Sequence, residues 1–178
     1  MMKWLIPIIT ALVLVAGSAL YAHNRPADLN ALHQGIISDY SQVSHISAEA
    51  FDRQNADDII LLDIREADEF AISHIAGAQR IDPEMSTENL LTQLPKDLTN
   101  KTIIVYCSVG RRSTALAARA KSHLLAKGAT DIVNLEGGIF DWHNEQRPLT
   151  SASGSTDYIH PYNDYWNRWV KRKDKTRY

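Results

Sequence analysis

Cysteine is nearly absent from this chain: Cys107 is the only one in 178 residues. An internal disulfide is therefore excluded, and so is a zinc site built on cysteine pairs. An excess of one charge is lacking too. Nineteen Lys and Arg oppose 21 Asp and Glu, a formal charge of -2, so no global basic field calls for nucleic acid. The seven histidines show no paired spacing that would argue for a metal. Long hydrophobic runs are limited to one, which excludes a polytopic membrane protein. There is no internal repeat. Apolar residues make up 44% and charged residues 22%, close to the globular average. That excludes a wholly disordered or fibrous chain, and the length allows one domain plus extensions.

The single apolar run is N-terminal. After Lys3 it extends from Trp4 to Tyr21, broken by Pro7, Thr10, Gly17 and Ser18, with no charge before Arg25. One basic residue, an apolar stretch and then small residues is the pattern of an export signal. The run is also nearly as long as the roughly 20 residues a helix needs to span a bilayer core. Residues 1–22 are thus expected to be a cleaved signal peptide or a retained anchor with Lys3 inside. Either places the rest of the protein outside the cytoplasm, in a periplasm, free or held at the inner membrane. Pro7 disfavours the third possibility, a core helix.

Residues 23–42 show no clear period and read as a linker or lead-in. Beyond them, short apolar runs alternate with helical patterns. Ser47 caps a short helix through Phe51. Ile59 to Leu62 reads as a buried strand and Ala78 to Ile81 as a short one. Thr102 to Tyr106 (TIIVY) and Asp131 to Leu135 (DIVNL) are β-branched strands. Between them lie helix candidates at 66–72, 86–94 (stopped by Pro95) and 113–127 (ended by Gly128). A last short helix covers 138–144. This alternation predicts an α/β fold, a mostly parallel sheet with helices on both faces. Residues 150–157 (TSASGSTD) have the small polar composition of a linker.

Cys107 directly follows the strand TIIVY, and a helix follows the loop Cys107-Ser108-Val109-Gly110-Arg111-Arg112. In a parallel sheet, ligands bind beyond the carboxyl ends of the strands. A strand-to-helix turn directs backbone N–H groups toward an anion. Gly110 permits the turn. The helix N-terminus and the cations Arg111 and Arg112 favour a thiolate, which is a ready nucleophile. The other reading, a buried structural cysteine, is made weaker by two arginines and a glycine. Spacing separates the chemistries. Ser113 breaks the Cys-x5-Arg of a phosphate-transferring loop, whereas Arg112 gives Cys-x4-Arg, a tighter ring better suited to a sulfur atom than to a phosphoryl group. Two cations at the mouth favour a small anionic donor. Arg112 is expected in the loop ring and Arg111 at its rim.

Three segments together resemble the single-domain rhodaneses, which are sulfurtransferases. They are Leu61-Leu62-Asp63-Ile64-Arg65-Glu66 leading through Glu69-Phe70 to Ser73-His74-Ile75-Ala76-Gly77-Ala78, the loop Cys107 to Arg112, and Leu135-Glu136-Gly137-Gly138-Ile139-Phe140-Asp141-Trp142. The resemblance covers about 43–148, leaving 149–178 as a C-terminal extension. It implies five strands and an active loop at one end of the sheet. It implies that Cys107 takes sulfane sulfur from thiosulfate or a persulfide and passes it to a thiol, a protein or a cyanide-like acceptor. Neither metal nor organic cofactor is implied, since the sulfur rides on Cys107. Ser108, Val109, Gly110, Arg111 and Arg112 would bind substrate. Asp63 and Arg65 would support the loop as an ion pair or touch substrate directly, and His74 would tie two loops together or act as a general base. Gly137 and Gly138 would allow a tight helix start over a packed Trp142.

Six of the chain's 14 aromatics fall between Tyr158 and Tyr178, and Arg168 to Arg177 holds six basic residues and one acid. The segment His160-Pro161-Tyr162-Asn163-Asp164-Tyr165-Trp166 resembles an extension of some exported rhodanese-like proteins, with Asn167 in place of the usual glycine. It reads as an arm packed on its own domain, a partner-docking strip or a membrane-surface contact. Two further function classes stand beside the sulfurtransferase. One is a non-catalytic rhodanese-type module at the membrane; the other is a cysteine-based oxyanion enzyme such as an arsenate reductase.

Overall fold

The structure, a computed structural model, describes residues 28–178. The N-terminal segment 1–22 lies outside the described residues; among those described, no helix is long and apolar enough to cross a membrane. Five strands form one parallel sheet: β1 (Ser44–Ile46), β2 (Ile59–Asp63), β3 (Gln79–Arg80), β4 (Thr102–Tyr106) and β5 (Asp131–Leu135). Their order is β1-β5-β4-β2-β3. The expected α/β architecture is present.

Alternation along β4 explains the two cores. Ile104 and Tyr106 face one side, with Leu32, Ile36, Ile139, Phe140 and Trp142. Ile103, Val105 and Cys107 face the other, with Leu90, Leu116, Ala120 and Leu124. Successive side chains of a strand point to opposite faces, so a strand buried on both favours apolar residues at consecutive positions, as Ile103-Ile104-Val105 show. The helices divide accordingly. On the first face lie α1 (Leu29–Asp39), α2 (Ala48–Asp52) and, after β5, α6 (Gly138–Asn144). On the second lie α4 (Thr87–Gln93) and α5 (Arg111–Ala126). The short helix α3 (Ala67–Ile72) follows β2.

Two stretches differ from the sequence reading. Within residues 23–42, expected to be a linker or lead-in without a clear period, α1 runs for 11 residues. Asp28 caps it by accepting the Ala31 N–H at 2.8 Å, and Leu29, Leu32, His33 and Ile36 fall at one-face helical spacing. Within the 150–157 stretch there is an antiparallel hairpin, β6 (Leu149–Ser151) and β7 (Gly154–Thr156). Gly154 at φ 104° makes its turn. Backbone bonds between His74 and Thr150, 2.8 and 2.9 Å, dock this hairpin onto the loop after α3.

At the end of β2 the side chains of Asp63 and Arg65 form a fully buried ion pair. Arg65 Nε donates at 2.9 Å and Nη2 at 2.7 Å to the carboxylate; Nη2 also reaches the Ser73 carbonyl at 2.5 Å. The pair thus ties strand β2 to the segment that carries His74. Asp63→Ala leaves a buried guanidinium unpaired, and we expect a loss of roughly 3–5 kcal/mol. Urea unfolding checks this. A double variant, Asp63→Leu with Arg65→Met, should be less destabilised than Asp63→Ala.

Candidate active site

The chain leaves the centre of the sheet at Tyr106, enters the loop at Cys107 and starts α5 at Arg111. Helix α5 begins two residues earlier than its pattern predicts, because Gly110 at φ 96° turns the chain directly into it. A side chain at Gly110 would strike Asn134 Nδ2 at 2.9 Å. Asn134 sits on β5, where its Oδ1 accepts from Ser113 Oγ at 2.6 Å. The Thr114 hydroxyl donates to the Gly110 carbonyl at 2.6 Å, and Ser113 Oγ lies 3.1 Å from the same oxygen. Behind Asn134 stands His45, with Asn134 Nδ2 3.2 Å from its Nδ1. Burial, and then neighbouring His33, lower the His45 pKa to about 4, so its ring is neutral near pH 7.

The loop's carbonyls are held from below by α6. Ile139 N–H donates to the Cys107 carbonyl at 2.9 Å and Phe140 N–H to that of Ser108 at 3.0 Å. This approach requires glycine at 138. A Cβ there would lie 2.4 Å from the Cys107 oxygen and 2.8 Å from Ser108. The sequence reading assigned Gly138 to a tight helix start; its contact with the cysteine loop is visible only in three dimensions.

Cys107 itself is buried, its residue 1% exposed. Gly110 N–H points to Sγ at 3.2 Å. Arg112 lies beside the same sulfur and interacts with it, while its terminal nitrogens are held from the other side. It donates to Glu69 at 2.9 and 3.0 Å and to Ser108 Oγ at 2.9 Å. Ser108 Oγ in turn donates to Glu69 at 2.8 Å. Arg112 therefore closes the loop through a carboxylate from α3. Burial opposes its charge, yet the Cys107 sulfur and Glu69 outweigh this and raise its pKa.

Glu69 stands in the first of the three resembling segments, and the sequence alone assigns it no role. It is fully buried. Burial pushes its carboxyl pKa up, but the hydrogen bonds and charge of Arg112, the charge of Arg65 and the Glu66 backbone N–H (3.1 Å) outweigh it and hold the value low. The signal available was its place three residues after Glu66, the reach-back position of a helix N-terminus. Arg111, by contrast, is exposed on the first turn of α5. Of the two cations expected at the mouth, one is thus neutralised internally and one remains open. Val109, within the loop, is buried.

His74 stacks on Phe70, with ring centroids 3.8 Å apart, and its Nδ1 lies 3.0 Å from the Phe70 carbonyl. Its backbone pairs with Thr150, so it joins the loop after α3 to the hairpin. No group of three or more metal-ligating side chains occurs among the described residues.

The C-terminal arm completes the site. It packs on the domain through Ile159, Trp169 and Val170, all buried. The backbone of Ile159 pairs with Lys175 and Arg177, at 2.9 Å each, so the basic end is tied down. Arg172 and Lys175 both reach Asp157, at 2.9 Å. The Arg168 guanidinium lies 4.0 Å from the ring centres of both Tyr165 and Trp169. Tyr162 and Trp166 join Cys107, Ser108, Val109, Arg111 and Arg112 in lining a cavity of about 230 Å³. The sequence reading had no means of bringing residues 162 and 166 to residue 107.

Comparison with known proteins extends this picture. The rhodanese-like domain profile matches residues 47–145, more than half of the chain. Thiosulfate sulfurtransferase GlpE of Coxiella burnetii is 31% identical over 114 residues, covering 64% of this chain and 96% of the relative. GlpE of Pseudomonas fluorescens is 26% identical over 121 residues, 68% and 100% of the two chains. The probable adenylyltransferase/sulfurtransferase MoeZ of Mycobacterium tuberculosis is 38% identical over 92 residues, 51% of this chain and 21% of MoeZ. This chain thus spans about a fifth of MoeZ's length. Among solved structures, a thiosulfate sulfurtransferase from Pseudomonas aeruginosa aligns with a TM-score of 0.52 at 16% identity, over 82% of this chain and 26% of that one. The BH2092 protein of Bacillus halodurans aligns with a TM-score of 0.51 at 22% identity, over 70% and 88%. At these identities the two structures speak for the fold alone.

The Glu69 geometry predicts an acid-sensitive site. A carboxyl with a lowered folded pKa stabilises the fold above its unfolded value, about 4.3, and loses that contribution as pH falls through the folded value. Stability of the wild type, followed by urea midpoints, should therefore fall below about pH 4.3. Glu69→Gln should be less stable at pH 7 and should show a shallower fall in that acid window.

Proposed function

This chain belongs to the rhodanese-like domain family, and from that premise we propose that it is a sulfurtransferase acting through a persulfide on Cys107. The observation that carries this reading is the loop itself. A lone cysteine lies at the carboxyl end of the central strand, with the N–H of Gly110 3.2 Å from its sulfur and Arg112 beside it, at the start of a 16-residue helix. Such a helix end favours negative charge.

The thiolate of Cys107 attacks the sulfane sulfur of thiosulfate or of an organic persulfide. A sulfur–sulfur bond forms to Cys107, the donor's own sulfur–sulfur bond breaks, and sulfite or a thiolate departs with the electron pair. In the second half, an acceptor thiolate or cyanide attacks the outer sulfur. Cys107 leaves as thiolate, and the acceptor carries the sulfur away as persulfide or thiocyanate. No electrons are gained or lost overall and no cofactor enters; the cysteine is the carrier. Arg111, the open cation, draws the anionic donor. Arg112, held by Glu69, positions the loop and faces the charge that builds on sulfur. The N-terminal export pattern supports action outside the cytoplasm.

The test is the intact mass of the purified protein after thiosulfate or a persulfide donor. We expect the gain of one sulfur atom, removed by cyanide and absent in Cys107→Ser. A folded wild type with a free thiol that takes sulfur from neither donor overturns the reading, as does turnover that survives Cys107→Ser. Arg112→Ala should lower kcat/KM roughly 10²-fold, in the range of removing one preorganised donor, and Arg112→Lys should recover little of it, because Lys cannot make the paired contact with Glu69.

A further inference from the structure

The cavity over Cys107 has room beyond what a small inorganic anion needs, and its outer wall is aromatic. A water's share of liquid volume is about 30 Å³, so 230 Å³ holds about eight such groups, whereas thiosulfate has five heavy atoms. Only one open cation, Arg111, lines it, since Arg112 is paired with Glu69. Val109, Tyr162 and Trp166 supply the apolar part of its lining.

Tyr162 is held there at a conformational cost. Its φ is 68°, a left-handed value that a bulky residue rarely adopts. Asn163 N–H returns to the Pro161 carbonyl at 2.9 Å, closing a three-residue turn with Tyr162 at its tip. The Tyr162 N–H is taken by His160 Nδ1 at 3.0 Å, and His160 is buried. The turn carries the Tyr162 ring over Arg112, 5.1 Å from guanidinium to ring centre. The residue remains 44% exposed, so it is not there to fill the core. Strained backbone concentrates where a side chain must be aimed. Both aromatics lie beyond residue 145, where the family match ends.

Resting on the sulfurtransferase reading, we propose that Tyr162 and Trp166 form a recognition wall that selects a small organic thiol as sulfur acceptor, one bearing a carboxylate for Arg111 and an apolar, ring-sized body for the two aromatic faces. The carboxylate orients the acceptor and the ring-sized body seats it against the arm. Its thiolate then attacks the outer sulfur of the Cys107 persulfide. The bond between the two sulfurs breaks, Cys107 is released as thiolate, and the acceptor leaves as its persulfide.

Two measurements on the full chain separate this proposal from the activity it rests on. The first needs no sulfur transfer: protection of Cys107 from iodoacetamide by 3-phenylpropanoate or propanoate, read by mass. We expect the phenyl compound to protect at a concentration at least tenfold lower, the scale of burying an apolar group in a pocket. Tyr162→Gly removes the ring while relieving the positive φ, and it should reduce that preference at least threefold, as should Trp166→Ala. The second compares 3-mercaptopropanoate with 2-benzyl-3-mercaptopropanoate as acceptors from the persulfide form. The benzyl compound should show the higher kcat/KM, with the ratio collapsing in both variants. Equal protection by the two carboxylates overturns the proposal, and so does a phenyl preference that both variants retain. Phenyl-selective protection that depends on the two rings, in a protein that never takes up sulfur, upholds the wall and overturns the sulfurtransferase reading instead.

Discussion

A carboxylate with no exposure to solvent, Glu69, receives hydrogen bonds from Ser108, from both terminal nitrogens of Arg112 and from the Glu66 backbone. An isolated charge in that position would be costly. Here it is held ionised by two guanidiniums, Arg112 in contact and Arg65 through space. The carboxylate fastens α3 to the cysteine loop and fixes where Arg112 can point. Buried pairs of this kind add little net stability compared with a well-packed apolar core. What this one provides is geometry: it keeps a cation beside Cys107 without leaving that cation free to fold over the sulfur.

A second constraint works from the other side of the loop. Helix α6 presents the N–H groups of Ile139 and Phe140 to the carbonyls of Cys107 and Ser108, at a distance that only Gly138 permits. On a third side, Asn134 and Ser113 fill the space under Gly110. The loop is thus held by α3, α6 and β5 together. A site fixed from several elements keeps its geometry better than one carried by a free loop. The arm that follows the domain then roofs this rigid base with the rings of Tyr162 and Trp166.

Much of this was legible in the chain. The continuous apolar run at 59–62 and the β-branched stretches at 102–106 and 131–135 announce strands, and all three are strands. Cys107, next to a strand and followed by glycine and arginines, announces its own loop. Other features were not legible. Strand β1 is three residues long, too short to show a period. Helix α1 has a modest apolar face and a histidine within it, which hid its pattern. Residues 150–157 are small and polar because their hairpin lies at the surface, and surface hairpins and linkers share that composition. The charge of Arg112 was legible, whereas its pairing with Glu69, 43 residues away, was not.

The sequence by itself determined the alternation of elements, the family, the position of the single thiol and the cations near it. These depend on local chemistry: β-branched runs, a glycine that turns, a cap that accepts an N–H. Only the tertiary structure decided which arginine stays open, why glycine is needed at 138, and that the C-terminal arm shares the cavity of Cys107. Each of these depends on atoms far apart in the chain meeting within about 3–5 Å, the range of hydrogen bonds and ring contacts. No local pattern encodes such a meeting; it follows from the packing of the two cores around β4.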